Sequence, residues 1–139
     1  MGDPLMTSSK IAVAGMKAQA ERQRIVSENM ANVDSLPQTP DGLPYRRKTI
    51  TFRDELDKQT GAHMVKVAAV GVDPSPLQKR YDPTHPAADV AGYVLAPNVN
   101  PLIEMLDMQE AQQSYVADEN ALSVSHAMMG RLMDMLKDK

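Results

Sequence analysis

Residues 98–139, NVNPLIEMLDMQEAQQSYVADENALSVSHAMMGRLMDMLKDK, decide the fold. Asn100 is a favourable helix N-cap residue, and Pro101 suits the first helical position because its missing N–H would have no partner there. After Pro101 the segment contains no further proline and a single glycine, Gly130. At about 1.5 Å per residue the predicted helix is roughly 60 Å long, too long for the core of a 139-residue globule. The sequence therefore predicts an extended helix.

This C-terminal helix has two apolar faces. The first recurs at steps of seven, and the second lies on the opposite side, separated from it by polar residues that include Asp107, Ser114, Asp118 and Ser125. One face can pack on a helix of the same chain, as in a coiled coil, and the other then needs a different partner. The alternative is an ordinary amphipathic helix whose extra methionines lie at the surface. The first face comprises Met108, Tyr115, Leu122, Met129 and Leu136, and the second Ile103, Leu106, Ala117, Ala121, Val124, Met128 and Met135.

A second long helix is predicted from Pro4 to Asn32, with Thr7, Ser8 and Ser9 as candidate caps. Its apolar stripe includes Ile11, Ala18 and Ile25 at helical spacing. The N-terminal helix is mainly basic and the C-terminal helix mainly acidic before its basic end, a sign difference that favours pairing. The two helices are thus expected to pair as a coiled-coil-like stalk.

Two asparagines, Asn29 and Asn32, occupy one face near the end of the N-terminal helix. Asparagine is unfavourable inside a helix because its amide competes for backbone groups. These side chains are therefore expected to bond to a neighbouring element or to close the helix. Simple fraying of the helix into the following turn is the alternative.

The middle of the chain is rich in proline and β-branched residues. Strands are predicted at 46–52, 64–72 and 92–95, a short turn or helix at 54–60, and an irregular segment at 73–86. The basic triplet at 46–48 has the composition of a solvated edge. The fold class predicted is mainly α with a small, irregular β insertion, divided into 1–35 (N-terminal helix), 36–97 (β lobe) and 98–139 (C-terminal helix).

Composition narrows the classes of partner. The formal charge of −3 is interspersed, which argues against nucleic acid and against an anionic membrane surface. Eleven methionines against one Phe and no Trp indicate a modest core and adaptable surfaces. Neither a signal peptide nor a membrane-spanning run is recognisable. These rules predict a cytosolic protein, unless it is exported without a cleaved signal.

Asp82, His85 and Asp89 are close enough in sequence to suggest a metal site. His85 stands between Thr84 and Pro86 in a proline-rich loop, however, which favours a solvated turn. We recognise no nucleophile motif, glycine-rich phosphate loop or cofactor signature. The sequence thus predicts a protein without enzymatic activity, cofactor or metal. A small metal-dependent hydrolase centred on His85 is the enzymatic alternative.

The chain resembles the bacterial flagellar axial rod proteins over nearly its whole length, from about residue 8. Residues 27–32, SENMAN, are similar to the family's Asn-x-Ala-Asn signature, and residues 39–48, 81–89 and 92–101 are similar to segments of its proximal rod members. Two features depart from the pattern: Asp34 and Ser35 replace a threonine-containing turn, and Asp118 with Glu119 interrupts the C-terminal helix seam.

This resemblance implies a structural subunit of the flagellar rod, located in the periplasm and exported by the flagellar type III apparatus without signal cleavage. It implies assembly with other rod proteins and copies of the chain, without direct membrane insertion. Members with longer middles form the distal rod and hook. A soluble helical adaptor or export chaperone is the alternative. The assembly residues expected are Ile11, Ala18, Ile25, Asn29, Ala31, Asn32, Asn98, Asn100, Pro101, Met108, Tyr115, Leu122, Val124, Met128, Met129 and Leu136.

Overall fold

Two long helices dominate the computed structural model, which describes residues 3–139. Helix α1 spans Pro4–Ala31 and helix α2 spans Pro101–Lys137. They pack antiparallel along the length of α1, with two small sheets inserted between them in the chain. The predicted fold class, a helical stalk with a small β insertion, is confirmed.

Both helices begin at a capped proline. The Asp3 carboxylate accepts a hydrogen bond from the Leu5 N–H at 3.0 Å, and the Asn100 side chain accepts one from the Leu102 N–H at 3.1 Å. The cap of α1 therefore lies before Thr7, Ser8 and Ser9, the residues expected from the sequence to supply it. Ser9 instead bonds the Leu5 carbonyl within the helix at 3.0 Å.

The first sheet is a hairpin of β1, Lys48–Leu56, and β2, His63–Val72. The strands are antiparallel, with Lys48 opposite Val72, Leu56 opposite His63, and a bulge between Thr51 and Phe52. The segment predicted as a turn or short helix at 54–60 is different in the structure, because β1 continues to Leu56. The two strands are joined by a six-residue loop, 57–62, in which Gly61 adopts φ +70°, a conformation that glycine adopts without strain.

The second sheet joins β3, Gln78–Tyr81, to β4, Tyr93–Ala96, again antiparallel. β4 corresponds to the predicted third strand. β3 lies within the segment predicted to be irregular, and all four of its residues are exposed. Exposure leaves it without an apolar alternation that a pattern could detect, and its pairing with β4 is what makes it a strand.

The buried apolar residues form a small core at the base of the stalk and a narrow line between the helices. β4 and the turn after it contribute Val94, Ala96 and Val99, and α1 contributes Ile25 and Val26. Only Ala111 of α2 joins the buried apolar set, among the residues described. Most apolar side chains of α2 consequently lie outside the core.

Candidate functional site

The seam, defined here as the contact between α1 and α2, repeats every seven residues. Its central positions are small or polar on both helices rather than large and apolar. Ser8 and Ser125 form an Oγ–Oγ hydrogen bond of 3.1 Å, and at the other end Asn29 Nδ2 donates to Glu104 Oε2 at 3.3 Å. In this register each step of seven along α1 matches a step of seven back along α2. Ser8 meets Ser125, Gly15 meets Asp118 and Asn29 meets Glu104. The same register places Arg22 level with Ala111.

The seam is therefore rotated from the face that the sequence predicted. Ala18 and Ile25 are buried as expected, whereas Ile11 is 41% exposed. On α2 the predicted stripe of Met108, Tyr115, Leu122 and Met129 is half-buried and borders the seam, and Leu136 is exposed. The line that faces α1 most directly is the one interpreted as a polar corridor, and it contains Asp118 and Ser125.

Asp118 packs against α1 at Gly15. A Cβ added to Gly15 would fall 2.3 Å from the Asp118 carboxylate oxygen, so the absence of a side chain at Gly15 makes room for it. Burial raises the pKa of the Asp118 carboxyl above its ordinary value. Because the pKa is higher in the folded state, ionisation of Asp118 weakens the stalk as the pH rises through that pKa.

A polar cluster, which we call the junction, ties the base of the stalk to β1. Its centre is Glu104, whose side chain is 0% exposed and forms an ion pair with Arg47 Nε. The guanidinium also reaches Asp73 at 3.4 Å and Asp107 at 3.2 Å. Burial lowers the pKa of Arg47, but the hydrogen bonds and charges of these carboxylates together outweigh burial and hold that pKa above its ordinary value. Arg47 is therefore a structural cross-link, and the prediction that the triplet at 46–48 is a solvated edge is wrong.

Asn29 connects α1 to the same junction through four hydrogen bonds. Its Oδ1 accepts from the Tyr45 hydroxyl at 2.7 Å and the Lys48 N–H at 2.9 Å. Its Nδ2 donates to the Lys48 carbonyl at 2.9 Å and to Glu104. A buried amide with every hydrogen-bonding position used is a specific positioning device. Asn29 thus bonds to neighbouring elements, one of the two roles that its spacing suggested.

The other three asparagines named from the sequence are also placed by hydrogen bonds. Asn32 caps the end of α1 by donating to the Glu28 carbonyl at 2.8 Å, and Asn100 caps the start of α2. Asn98 is not a cap. Its Oδ1 accepts from the Arg47 N–H at 2.7 Å, and its Nδ2 donates to the Asp73 carbonyl at 3.1 Å. It fixes the loop after β2 beside the junction.

A broad apolar surface of α2 remains exposed. Val124 and Met128, both predicted assembly residues, are 56% and 50% exposed, and the predicted residues Ala31 and Pro101 are exposed too. Continuing the seam register places Pro4 opposite Met129, so the residues from Gly130 to Lys137 extend past α1. We call this segment the overhang. Its exposed apolar residues are Leu132, Met133, Met135 and Leu136.

The three loop residues considered as metal ligands instead stabilise the turn between β3 and β4. His85 Nδ1 accepts the Ala87 N–H at 3.0 Å, and Asp89 Oδ1 accepts the Ala91 and Tyr93 N–H groups at 2.9 Å. Asp82 Oδ1 accepts the Thr84 hydroxyl at 2.9 Å. Among residues 3–139 we find no group of three His, Cys, Asp or Glu side chains that could hold a metal ion.

Comparisons with known proteins all match flagellar basal-body rod proteins. Residues 90–135 match the model of the family described as "Flagellar basal body rod FlgEFG protein C-terminal". The chain is 49% identical over 135 residues to the flagellar basal-body rod protein FlgC of Agrobacterium fabrum, with 97% of each chain covered. It is 38% identical to FlgC of Borreliella burgdorferi, covering 96% of this chain and 98% of that one. It is 36% identical to FlgC of Salmonella typhimurium, covering 90% and 92%.

Proposed function

The chain belongs to the FlgC family of flagellar basal-body rod proteins, a structural and non-enzymatic family, and from this premise we propose that it assembles through its stalk with copies of itself and other rod proteins. The rod would then transmit torque through packed helices. Subunits joined by a repeated contact that does not close on itself form a helical tube.

The single observation that carries this proposal is the exposed second face of α2. Ile103, Leu106 and Val124 are each about half exposed or more, although they lie on a rigid helix whose other side is already packed. Contiguous exposed apolar surface on a helix is typical of a protein–protein contact. The predicted assembly residues on the seam side would set the stalk's geometry, and those on the outer side would meet neighbouring subunits.

The location of the protein in the cell is also a proposal. We place the protein in the periplasmic part of the rod, after export by the flagellar type III apparatus without signal cleavage. Among the described residues, neither helix contains an apolar stretch long enough to span a bilayer. Fractionation of an epitope-tagged chain, in wild-type cells and in cells lacking the flagellar export apparatus, tests this route. Periplasmic accumulation without the export apparatus would contradict it.

A deletion strain tests the proposed place of the subunit most directly. Electron microscopy of basal bodies from this strain should show the inner-membrane ring with no rod above it. Complementation with the intact gene should restore the rod. A rod of normal length in the deletion strain would contradict the proposal.

Leu122→Asp tests the role of the stalk. Leu122 is half-buried beside α1, so a carboxylate there would place a charge in an apolar contact. We expect rod incorporation and motility to be lost while export continues, as measured by basal-body composition and by secreted protein. Ser123→Asp adds the same charge at an exposed position and should leave motility normal. Normal motility with Leu122→Asp would refute this role.

A further inference from the structure

A large apolar cleft lies between α1 and β2, on the side of the stalk where Leu122 of α2 lies. Its volume is about 740 Å³, and residues of α1, β2 and α2 line it. The floor includes Val13 of α1, Met64 and Val67 of β2, and Leu122 of α2. Because the cleft opens to solvent along the side of the stalk, it can receive an extended element such as a helix.

The rim of this cleft is basic. Lys10 and Lys17 stand one above the other on α1, and Lys66 projects from β2, against one acidic neighbour, Asp57. Lys66 is paired with Glu55 at 2.7 Å. Within residues 3–139 the amino groups of Lys10 and Lys17 take part in no ion pair. An apolar floor with free lysines above it selects an amphipathic, acidic partner.

The N-terminal two-thirds of α2 has the complementary chemistry. Residues 101–125 contain five carboxylates and no Lys or Arg. Two of those carboxylates are exposed, and Glu110 is paired with Arg22 of the same chain at 3.2 Å. Glu119 takes part in no ion pair within residues 3–139 and lies among large apolar side chains. The apolar side chains are Leu102, Ile103, Met105, Leu106 and Val116, which are 48–64% exposed.

We propose that the cleft of one copy receives the outer face of α2 residues 102–119 of a second copy. This proposal rests on the proposed rod function and names the two surfaces that meet. The cleft and the acidic segment are different patches of one chain, so the contact is heterologous. Repetition of such a contact gives an open chain of subunits rather than a closed dimer. Lys10 or Lys17 would pair with Glu119, and the apolar residues of the segment would fill the cleft.

Cysteine cross-linking tests the contact without background reaction at native thiols, since the chain contains no cysteine. One tagged variant carries Val13→Cys in the cleft, and a second carries Met105→Cys on α2. Treatment of their mixture with a short bis-maleimide should give a dimer containing both. The matched control replaces Met105→Cys with Val90→Cys, at a fully exposed loop position outside α2. We expect about tenfold more dimer than in the control, the ratio that 1.4 kcal/mol of interaction gives.

A charge exchange tests specificity. Lys10→Glu/Lys17→Glu makes both surfaces acidic, and Glu119→Lys, which replaces the unpaired carboxylate of the segment with a cation, makes both basic. Each variant alone should lose the cross-link and sediment as a monomer, whereas an equimolar mixture should recover both association and the cross-link, because acidic then meets basic at every contact. Circular dichroism of each variant establishes that the helices are intact. A mixture that behaves as the separate variants do would overturn the proposal.

The same cysteine pair, combined in one chain and examined in purified basal bodies, separates this inference from the rod function. Rods that form normally yet give no dimer from Val13→Cys/Met105→Cys would overturn the cleft contact and leave the rod function standing. Cross-linking of the cleft cysteine to a different rod protein, in place of a second copy, would also overturn it. Absence of the chain from intact rods would instead refute the rod function.

Discussion

At the residue scale, the buried carboxylate of Glu104 organises the base of the stalk. Glu104 pairs with Arg47 and accepts from Asn29, so one side chain joins α2 to β1 and α1. Glu104→Gln keeps the shape but leaves Arg47 with weaker compensation, and should lower the free energy of unfolding by about 2 kcal/mol. Chemical denaturation followed by circular dichroism measures this. Glu110→Gln is the matched control, because Glu110 pairs with Arg22 at 3.2 Å but is 67% exposed, and it should cost less than about 0.5 kcal/mol. Equal effects at the two positions would contradict the role of burial.

There is a physical reason why Glu104 could not be singled out from the sequence. An acidic residue in the first turn of a helix is favourable with its side chain in water, so its identity carries no signal of burial. The same holds for Arg47, whose charge among acidic neighbours fits a solvated edge equally well. Asn29 was detectable because asparagine inside a helix has an intrinsic cost that only specific hydrogen bonds offset.

At the element scale, both helices could be predicted almost to the residue, whereas the orientation of their contact could not. Capped prolines define where α1 and α2 begin, and these are local signals. The contact face depends on close approach at Gly15, which brings the line through Asp118 into the seam in place of the apolar stripe beside it. Hydrophobic periodicity assigns a seam to the apolar stripe and misses one built from small and polar residues.

The pair of Gly15 and Asp118 gives a test of that geometry. Gly15→Ala alone sets a methyl group against the carboxylate, which should cancel the usual gain of about 1 kcal/mol from replacing a glycine inside a helix. In an Asp118→Ala background the same substitution should stabilise by about that amount. Thermal unfolding of the four proteins gives the coupling energy of the cycle. Additive effects would show that the helices do not meet at this point.

At the scale of the whole molecule, part of the β lobe could not be predicted from the sequence. β1, β2 and β4 were predictable from their composition, but exposed β3 becomes a strand through pairing with residues 12 to 18 positions away. The same limit applies to the outer face of α2 and to the cleft. The sequence shows which of their residues are apolar, whereas the cleft forms only when α1, β2 and α2 pack together.

The overhang provides the last prediction at this scale. The residues from Gly130 to Lys137 lie beyond α1 and are exposed except for their backbone bonds within the helix, so they contribute little to the fold of one chain. Truncation after Met129 should change the free energy of unfolding by less than about 0.5 kcal/mol, as for other surface changes. It should nevertheless abolish incorporation into the rod, because Leu132, Met133 and Leu136 would be available only to a neighbouring subunit. Denaturation of the purified chain and electron microscopy of basal bodies measure the two effects separately. Truncation after Lys137 is the control and should preserve both, whereas normal rods from the longer truncation would contradict an assembly role for the overhang.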